Sequence, residues 1–194
     1  YEHIRFRYLN KQFKNYYDTE LLLEYYNYDK INEEYLLKYK DSLKYLYSND
    51  KTLIENILCN FKNLKIISLP FNNNINDRLF KYMNDIHTIN LDRNINITDE
   101  GLKYLKDIHT LNLDYNENIT DEGLKYLWGI HTLYLGFTDR ITDEGLKYLS
   151  GIHTLKLISS GKNITNEGLK YLSGIHTLNL GWNDKITDEG LKYL

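Results

Sequence analysis

Short apolar–polar alternations recur through the second half of the chain. Thr88-Ile89-Asn90-Leu91, Thr110-Leu111-Asn112-Leu113, Thr132-Leu133-Tyr134-Leu135, Thr154-Leu155-Lys156-Leu157 and Thr177-Leu178-Asn179-Leu180 each place apolar residues at every second position. That period is a strand pattern. The period then changes. In T-D-E-G-L-K-Y-L, Leu102 and Leu105 stand three apart with Tyr104 beside them, which is helical spacing. Thr98 is placed to cap the start of that helix, and Asp99 and Glu100 suit its positive end. Asp99 and Lys103 stand as an i, i+4 pair in the favourable order. Gly129, Gly151 and Gly174 follow, where a helix commonly ends on a left-handed residue. Each unit reads strand, loop, short helix, turn.

The units keep a period. His87, His109, His131 and His153 are 22 residues apart, and His176 follows after 23, the extra residue falling in I-S-S-G-K-N. Leu64 to Leu69 fits the same frame without the His, and S-L-K-Y-L-Y-S from Ser42 fits it loosely. About five good repeats therefore follow one or two degraded ones. Ile89, Leu91, Ile97, Leu102, Leu105, Ile108 and their equivalents are the expected core. One unit cannot bury that set alone, but stacked neighbours can.

Ile108 to Asn116 runs L-x-x-L-x-L-x-x-N in kind, and with this period it resembles the leucine-rich repeat. The following I-T-D-E-G-L-K-Y-L looks like the second half of the cysteine-containing repeats of F-box proteins. Asn94, Asn116, Thr138, Ser160 and Asn183 stand where that subclass has Cys, and the repeats are shorter. The resemblance covers residues 42–194. It implies an α/β solenoid with a parallel sheet on the concave side and short helices on the convex side. Strands spaced at about 4.8 Å beside helices about 10 Å across give the same curvature on dimensions alone. The Asn/Thr/Ser column would supply side-chain hydrogen bonds to loop backbone.

Residues 1–41 read as helical. His3 to Leu22 is patterned as an amphipathic helix with Ile4, Tyr8, Leu9, Phe13 and Tyr16 inward, and I-N-E-E-Y-L-L-K-Y-K-D-S-L as another. The segment is either a cap over the open end of the array or the C-terminal part of an F-box. For the latter, R-x-x-N-K-x-F-x-x-Y at Arg7 to Tyr16 carries the resemblance.

Composition narrows the partner classes. The formal charge is −3, so nothing favours DNA or an anionic membrane. The single Cys excludes an internal disulfide and suits a reducing, cytoplasmic setting. No apolar run approaches the ~20 residues of a membrane span. Asn, Lys, Ile and Tyr abound, while Ala and Val are absent. This is the bias of an AT-rich genome, such as that of a giant amoebal virus, whose product would work in host cytoplasm. The Tyr16-Tyr17 and Tyr25-Tyr26 pairs are either stacking platforms or large apolar residues of a Tyr-rich chain. The sequence opens at Tyr1 and stops inside a repeat, as a fragment of a longer protein would. A cut array end could pair with a second copy.

Three columns could carry chemistry. His87, His109, His131, His153 and His176 could chelate metal, or form a structural ladder tucked inward, since His87 shares the parity of Ile89. Asp99, Asp121, Asp143 and Asp188 could bind calcium or serve the helix start, and Asn166 breaks their pattern. Asn96, Asn118 and Asn163 open N-x-T sequons by repetition. Cys59 lies in an amphipathic stretch and reads as core. No phosphate loop, H-E-x-x-H, G-x-S-x-G or CxxC occurs, so neither an enzyme nor a cofactor is expected.

Between copies, the Thr before each strand is fixed, while the residues that follow drift. Arg93, Tyr115, Tyr134, Phe137, Lys156 and Trp182 are the expected partner-binding residues, on the concave face and its C-terminal edge. Drift on an unconstrained surface is the alternative. The gain of aromatic residues, common at binding hot spots, favours a protein partner. The family resemblance adds a ubiquitin-ligase adaptor docked by an N-terminal segment. A scaffold or host-directed effector needs no such link.

Overall fold

The computed structural model describes residues 5–6, 21–25, 34, 37–48, 58–83, 85–158 and 163–194. Among the described residues, nine strands form one sheet in chain order: β1 (Arg5–Phe6), β2 (Leu21–Tyr25), β3 (Leu43–Ser48), β4 (Ile66–Ser68), β5 (Thr88–Asn90), β6 (Thr110–Asn112), β7 (Thr132–Tyr134), β8 (Thr154–Lys156) and β9 (Thr177–Asn179). β1 and β2 are antiparallel, and every later pairing is parallel. The register keeps like with like: Thr88, Thr110, Thr132, Thr154 and Thr177 align, as do Asn90, Asn112, Tyr134, Lys156 and Asn179. This is the expected α/β solenoid.

Behind the sheet runs one apolar core from Leu43 to Leu172. Ile89, Leu91, Ile97, Leu102, Leu105 and Ile108 are all buried in it, as the alternation requires. Four-residue helical turns close the back of the units: Asp99–Leu102, Asp121–Leu124, Asp143–Leu146, Asn166–Leu169 and Asp188–Leu191. A six-residue 3-10 helix, Asp77–Tyr82, takes that place one unit earlier. Gly129, Gly151 and Gly174 have φ of +84°, +82° and +79°, the left-handed geometry a glycine accepts freely.

The T-D-E-G pattern is a joint between units. Thr98 Oγ1 accepts the Glu100 N–H at 3.2 Å, an N-cap. The same Thr is held from behind. Asp77 accepts the Thr98 N–H at 2.8 Å through Oδ1 and its hydroxyl at 2.6 Å through Oδ2. Asp99 holds Thr120, Asp121 holds Thr142 and Asp143 holds Thr165 in the same way. Each aspartate therefore serves the helix start of the next unit. A Cβ on Gly123 would collide with the Asp99 carboxylate, and one on Gly145 with that of Asp121. Glycine inside a helical turn costs up to ~1 kcal/mol, and this joint is the reason for it. Because the aspartates face forward, Lys103 pairs with Glu100 (i, i+3) rather than with Asp99.

Asn166 shows what the carboxylate does. Its Oδ1 still accepts the Thr187 N–H at 3.0 Å, but its Nδ2 donates to Thr187 Oγ1 at 2.9 Å. Thr187 alone among these five threonines makes no side-chain cap bond. An aspartate takes the hydroxyl proton and leaves the oxygen lone pairs for the helix, whereas the amide occupies them.

Within the first 41 residues, part of what is described differs from expectation. Arg5–Phe6 and Leu21–Tyr25 are strands, not helix, and Leu21–Tyr25 pairs along β3. β3 offers a long edge of unpaired backbone, and pairing there overrides helical patterning. Glu34 and Leu37 are helical, while Arg7 to Tyr16 lies outside the described residues. Cys59 is only partly buried, and its neighbours Leu58 and Phe61 hold the core. Among the described residues, no helix is long and apolar enough to cross a membrane.

Candidate functional site

After Leu69, Leu91, Leu113, Leu135 and Leu180 the chain makes a tight turn whose central residue stands at positive φ. Phe71, Arg93, Tyr115, Phe137 and Trp182 have φ of 61°, 59°, 59°, 60° and 62°. Bulky residues are uncommon there and cost of order 1–3 kcal/mol each. The backbone enforces the geometry. The Arg93 N–H donates to Asp114 O at 2.9 Å, that of Tyr115 to Gly136 O at 2.8 Å, and that of Phe137 to Ile158 O at 2.7 Å. Glycine or asparagine would relax these turns, yet five of the described positions carry an aromatic residue or arginine.

These side chains line the C-terminal edge of the sheet as one column. The Arg93 guanidinium lies 5.1 Å from the Phe71 ring centre and 3.9 Å from that of Tyr115. Tyr115 stacks on Phe137 with centroids 4.3 Å apart and planes within 8°. Phe137 meets Trp182 edge to face at 6.2 Å. Phe71 and Trp182 are exposed, at 45% and 78%. Four expected partner-binding residues, Arg93, Tyr115, Phe137 and Trp182, are thus brought together. Phe71 is an addition. It stands two residues past Leu69 as Arg93 stands past Leu91, so extending the repeat frame backwards finds it.

Tyr134 and Lys156 sit one column inward, paired in register on β7 and β8. Both are partly buried. Lys156 is committed: its Nζ lies 2.5 Å from Asp114 Oδ2, crossing the intervening unit over Gly136. Asp114 is buried at 6% exposure and also accepts the Gly136 N–H at 2.6 Å. Asp92 is the less satisfied neighbour. Its Oδ1 is buried and has no hydrogen-bond partner among the described residues. Arg93 Nε approaches to 3.9 Å, near enough for charge attraction and too far for a hydrogen bond. Burial pushes the Asp92 carboxyl above the ordinary aspartate range, against the pull of Arg93.

Beneath this edge, the asparagine column ties unit to unit. Asn94 Nδ2 donates to Leu69 O and Asn116 Nδ2 to Leu91 O, both at 2.9 Å, and Asn183 Nδ2 to Leu157 O at 2.5 Å. Thr138 is too short to reach back and donates to Leu135 O of its own unit at 2.7 Å. Ser160 lies outside the described residues. The Oδ1 atoms of Asn94, Asn116 and Asn183 are buried with no partner among the described residues.

The histidines occupy the opposite edge. His87, His109, His131, His153 and His176 stack with centroids 4.3–4.4 Å apart. Their rings are exposed or half-buried rather than tucked inward. Each Nδ1 meets the hydroxyl of the following Thr, at 3.0 Å in His131, rather than backbone. The parity argument fails for a local reason. The N–H groups of His109 and Thr110 converge on one carbonyl, that of His87, so alternation breaks between them. Burial is the first cause that lowers the pKa of His87, His109 and His153, and neighbouring imidazoles add to it. Parallel rings do not converge their nitrogens on a point. Among the described residues, no group of three or more His, Cys, Asp or Glu side chains is arranged to hold a metal ion.

The sequon asparagines also have a bonding role. Asn118 Nδ2 donates to Ile95 O, and Asn163 Nδ2 to Asp139 O, each at 2.7 Å in the preceding unit. Asn96 reaches Asn73 O at 2.5 Å.

Against known proteins, a leucine-rich-repeat family model matches residues 105–127, 130–150 and 175–194. No curated protein matches the sequence. Among 112 matching solved chains, one from the yeast Rad7–Elc1 complex superposes at TM-score 0.63 with 18% identity, covering 84% of this chain and 57% of that one. A chain of the Drosophila Toll–Spatzle complex gives 0.64 at 12% identity, covering 86% and 27%. An internalin from Listeria monocytogenes gives 0.56 at 22% identity, covering 79% and 52%. The chain thus spans less than two thirds of the length of each of these three, and the likeness is one of fold.

Proposed function

Because the chain is a leucine-rich-repeat protein, we propose that it is a protein-recognition module whose partner lies along the C-terminal edge of the sheet and the adjoining concave face. One observation carries this reading. Large side chains stand at left-handed turn positions, where a smaller residue would remove the strain. Selection for folding alone favours glycine or asparagine at such turns. A row of rings and one guanidinium in contact, with Phe71 and Trp182 exposed at its ends, supplies the rigid apolar area that binding hot spots use. The matched Rad7–Elc1 and Toll–Spatzle structures are complexes, which supports the reading by analogy of fold.

Capture from an extract tests it, with wild type and a Tyr134→Ala/Trp182→Ala double variant of matched melting temperature. A protein retained by wild type and lost by the variant supports the reading. Equal retention by both overturns it.

A narrower form makes the protein the substrate receptor of a ubiquitin ligase. The I-T-D-E-G-L half-repeat and the Arg7–Tyr16 stretch support it by resemblance. The ligase adaptor should then co-purify with the full-length protein, and failure to do so leaves a scaffold or effector without that link.

A further inference from the structure

Arg93 is the cation on this edge whose donors are unspent. The rings of Phe71 and Tyr115 flank its guanidinium at 5.1 and 3.9 Å. Its side chain is 46% exposed, and its nearest acid, Asp92, stands 3.9 Å away through Nε alone. Its backbone N–H donates to Asp114 O, but its side chain makes no hydrogen bond among the described residues. Lys156, the other cation of these columns, is closed off by Asp114 at 2.5 Å. A guanidinium between two rings keeps its faces covered and its N–H edge available. That planar edge matches a carboxylate with two parallel hydrogen bonds. Stacking also holds the long side chain in place before a ligand arrives, which lowers the ordering cost of binding.

We propose that Arg93 is the anchor for a carboxylate side chain of an extended acidic–aromatic peptide segment of the partner. The carboxylate sits in the guanidinium fork, and the adjacent apolar side chain lies on Tyr115, Phe137 and Trp182. This rests on the recognition reading above and names the chemistry of its ligand. The sign of the charge follows from the residues. A basic segment would be repelled by the exposed guanidinium edge, because Asp114 is taken up by Lys156 and Asp92 reaches Arg93 only at Nε, 3.9 Å away.

The probe is a display library of random peptides about twelve residues long. At ~3.3 Å per extended residue, that length crosses five strands spaced at ~4.8 Å with residues to spare. The library is selected on the wild-type chain, and the best sequences are synthesised with blocked ends. Enriched peptides should share an Asp or Glu next to an aromatic residue. Arg93→Gln, or replacing the peptide acid by its amide, should each weaken binding roughly 10- to 100-fold. The two changes together should cost little more than one. Arg93→Lys, which keeps the charge and loses the fork, should also weaken binding, while thermal melts confirm that both variants fold.

Enrichment of acid-free peptides, binding by Arg93→Gln within twofold of wild type, or no enrichment at all would overturn the proposal. If acid-free peptides still lose affinity on Trp182→Ala, the recognition reading stands and only the carboxylate anchor falls. If Trp182→Ala changes nothing either, both fall. A phosphoserine peptide binding more than tenfold tighter than its glutamate counterpart reassigns Arg93 to phosphate, which also overturns the proposal.

Discussion

The two long edges of the sheet are built from stacked rings by opposite rules. On one edge His87, His109, His131, His153 and His176 recur in five successive units, each Nδ1 against a threonine hydroxyl and each ring on its neighbour at 4.3–4.4 Å. On the other, Phe71, Arg93, Tyr115, Phe137 and Trp182 share one backbone conformation and little else. Identical rings in identical settings are explained by the array itself, since each copy packs on the next. A column that keeps a strained backbone while changing its side chains is not explained by packing. That difference is what the proposed recognition reading rests on, without any appeal to related sequences.

Gly145→Ala strikes the joint behind both edges. The new methyl must displace the Asp121 carboxylate, and with it the hold on Thr142. We expect a loss of about 1–3 kcal/mol, measured by urea denaturation. If stability is unchanged, the clamp does not matter to the fold. His131→Ala removes a ring with a stacked neighbour on each side. The expected cost is about 1 kcal/mol, and peptide binding at the far edge should survive. Loss of binding there would end the separation of the two edges.

Acid should find the histidine edge next. The pKa values of His87, His109 and His153 lie below the ordinary 6.5 in the folded chain. Above pH 6.5 these rings are neutral in both states and cost nothing. As pH falls from 6.5 towards the lowered folded values, the unfolded chain takes up protons first and stability is lost. The melting temperature should be lower at pH 5 than at pH 7.5. The drop should shrink in His131→Ala, because His131 adds to the shifts of both His87 and His153. An equal drop in the variant would clear the column of this role. The smallest effect belongs to Trp182→Gly, at 78% exposure and φ 62°. Relief of the left-handed strain and the added freedom of the unfolded chain oppose each other. Stability should move by less than about 0.5 kcal/mol, while partner or peptide binding falls. A large loss of stability would mark Trp182 as structural.

What could be read in the sequence followed from what periodicity encodes. The leucines at period two and the Leu102–Leu105 spacing located strand, helix and core, because burial on one face imposes those spacings. The aromatic column was visible as drift between copies. The left-handed turns were not, since nothing in Tyr115 or Phe137 announces a positive φ. Lys156 was read as available because its partner, Asp114, is 42 residues away and is reached only over the gap at Gly136. The histidines were placed inward because parity cannot see two amide groups sharing one carbonyl. Residues 21–25 became a strand because a neighbouring edge needed pairing, a tertiary fact absent from their local pattern.

The aspartate joint has a direction. Asp77 holds Thr98, Asp99 holds Thr120, and so on towards the C-terminus, with the glycine of each unit leaving room for the acid of the one before. A unit that folds as it is synthesised would therefore find the carboxylate that holds its capping threonine already in place on the unit made before it. Growth of the array in the order of translation would be templated at each aspartate joint, and Thr187, which meets the Asn166 amide, is the step without a carboxylate.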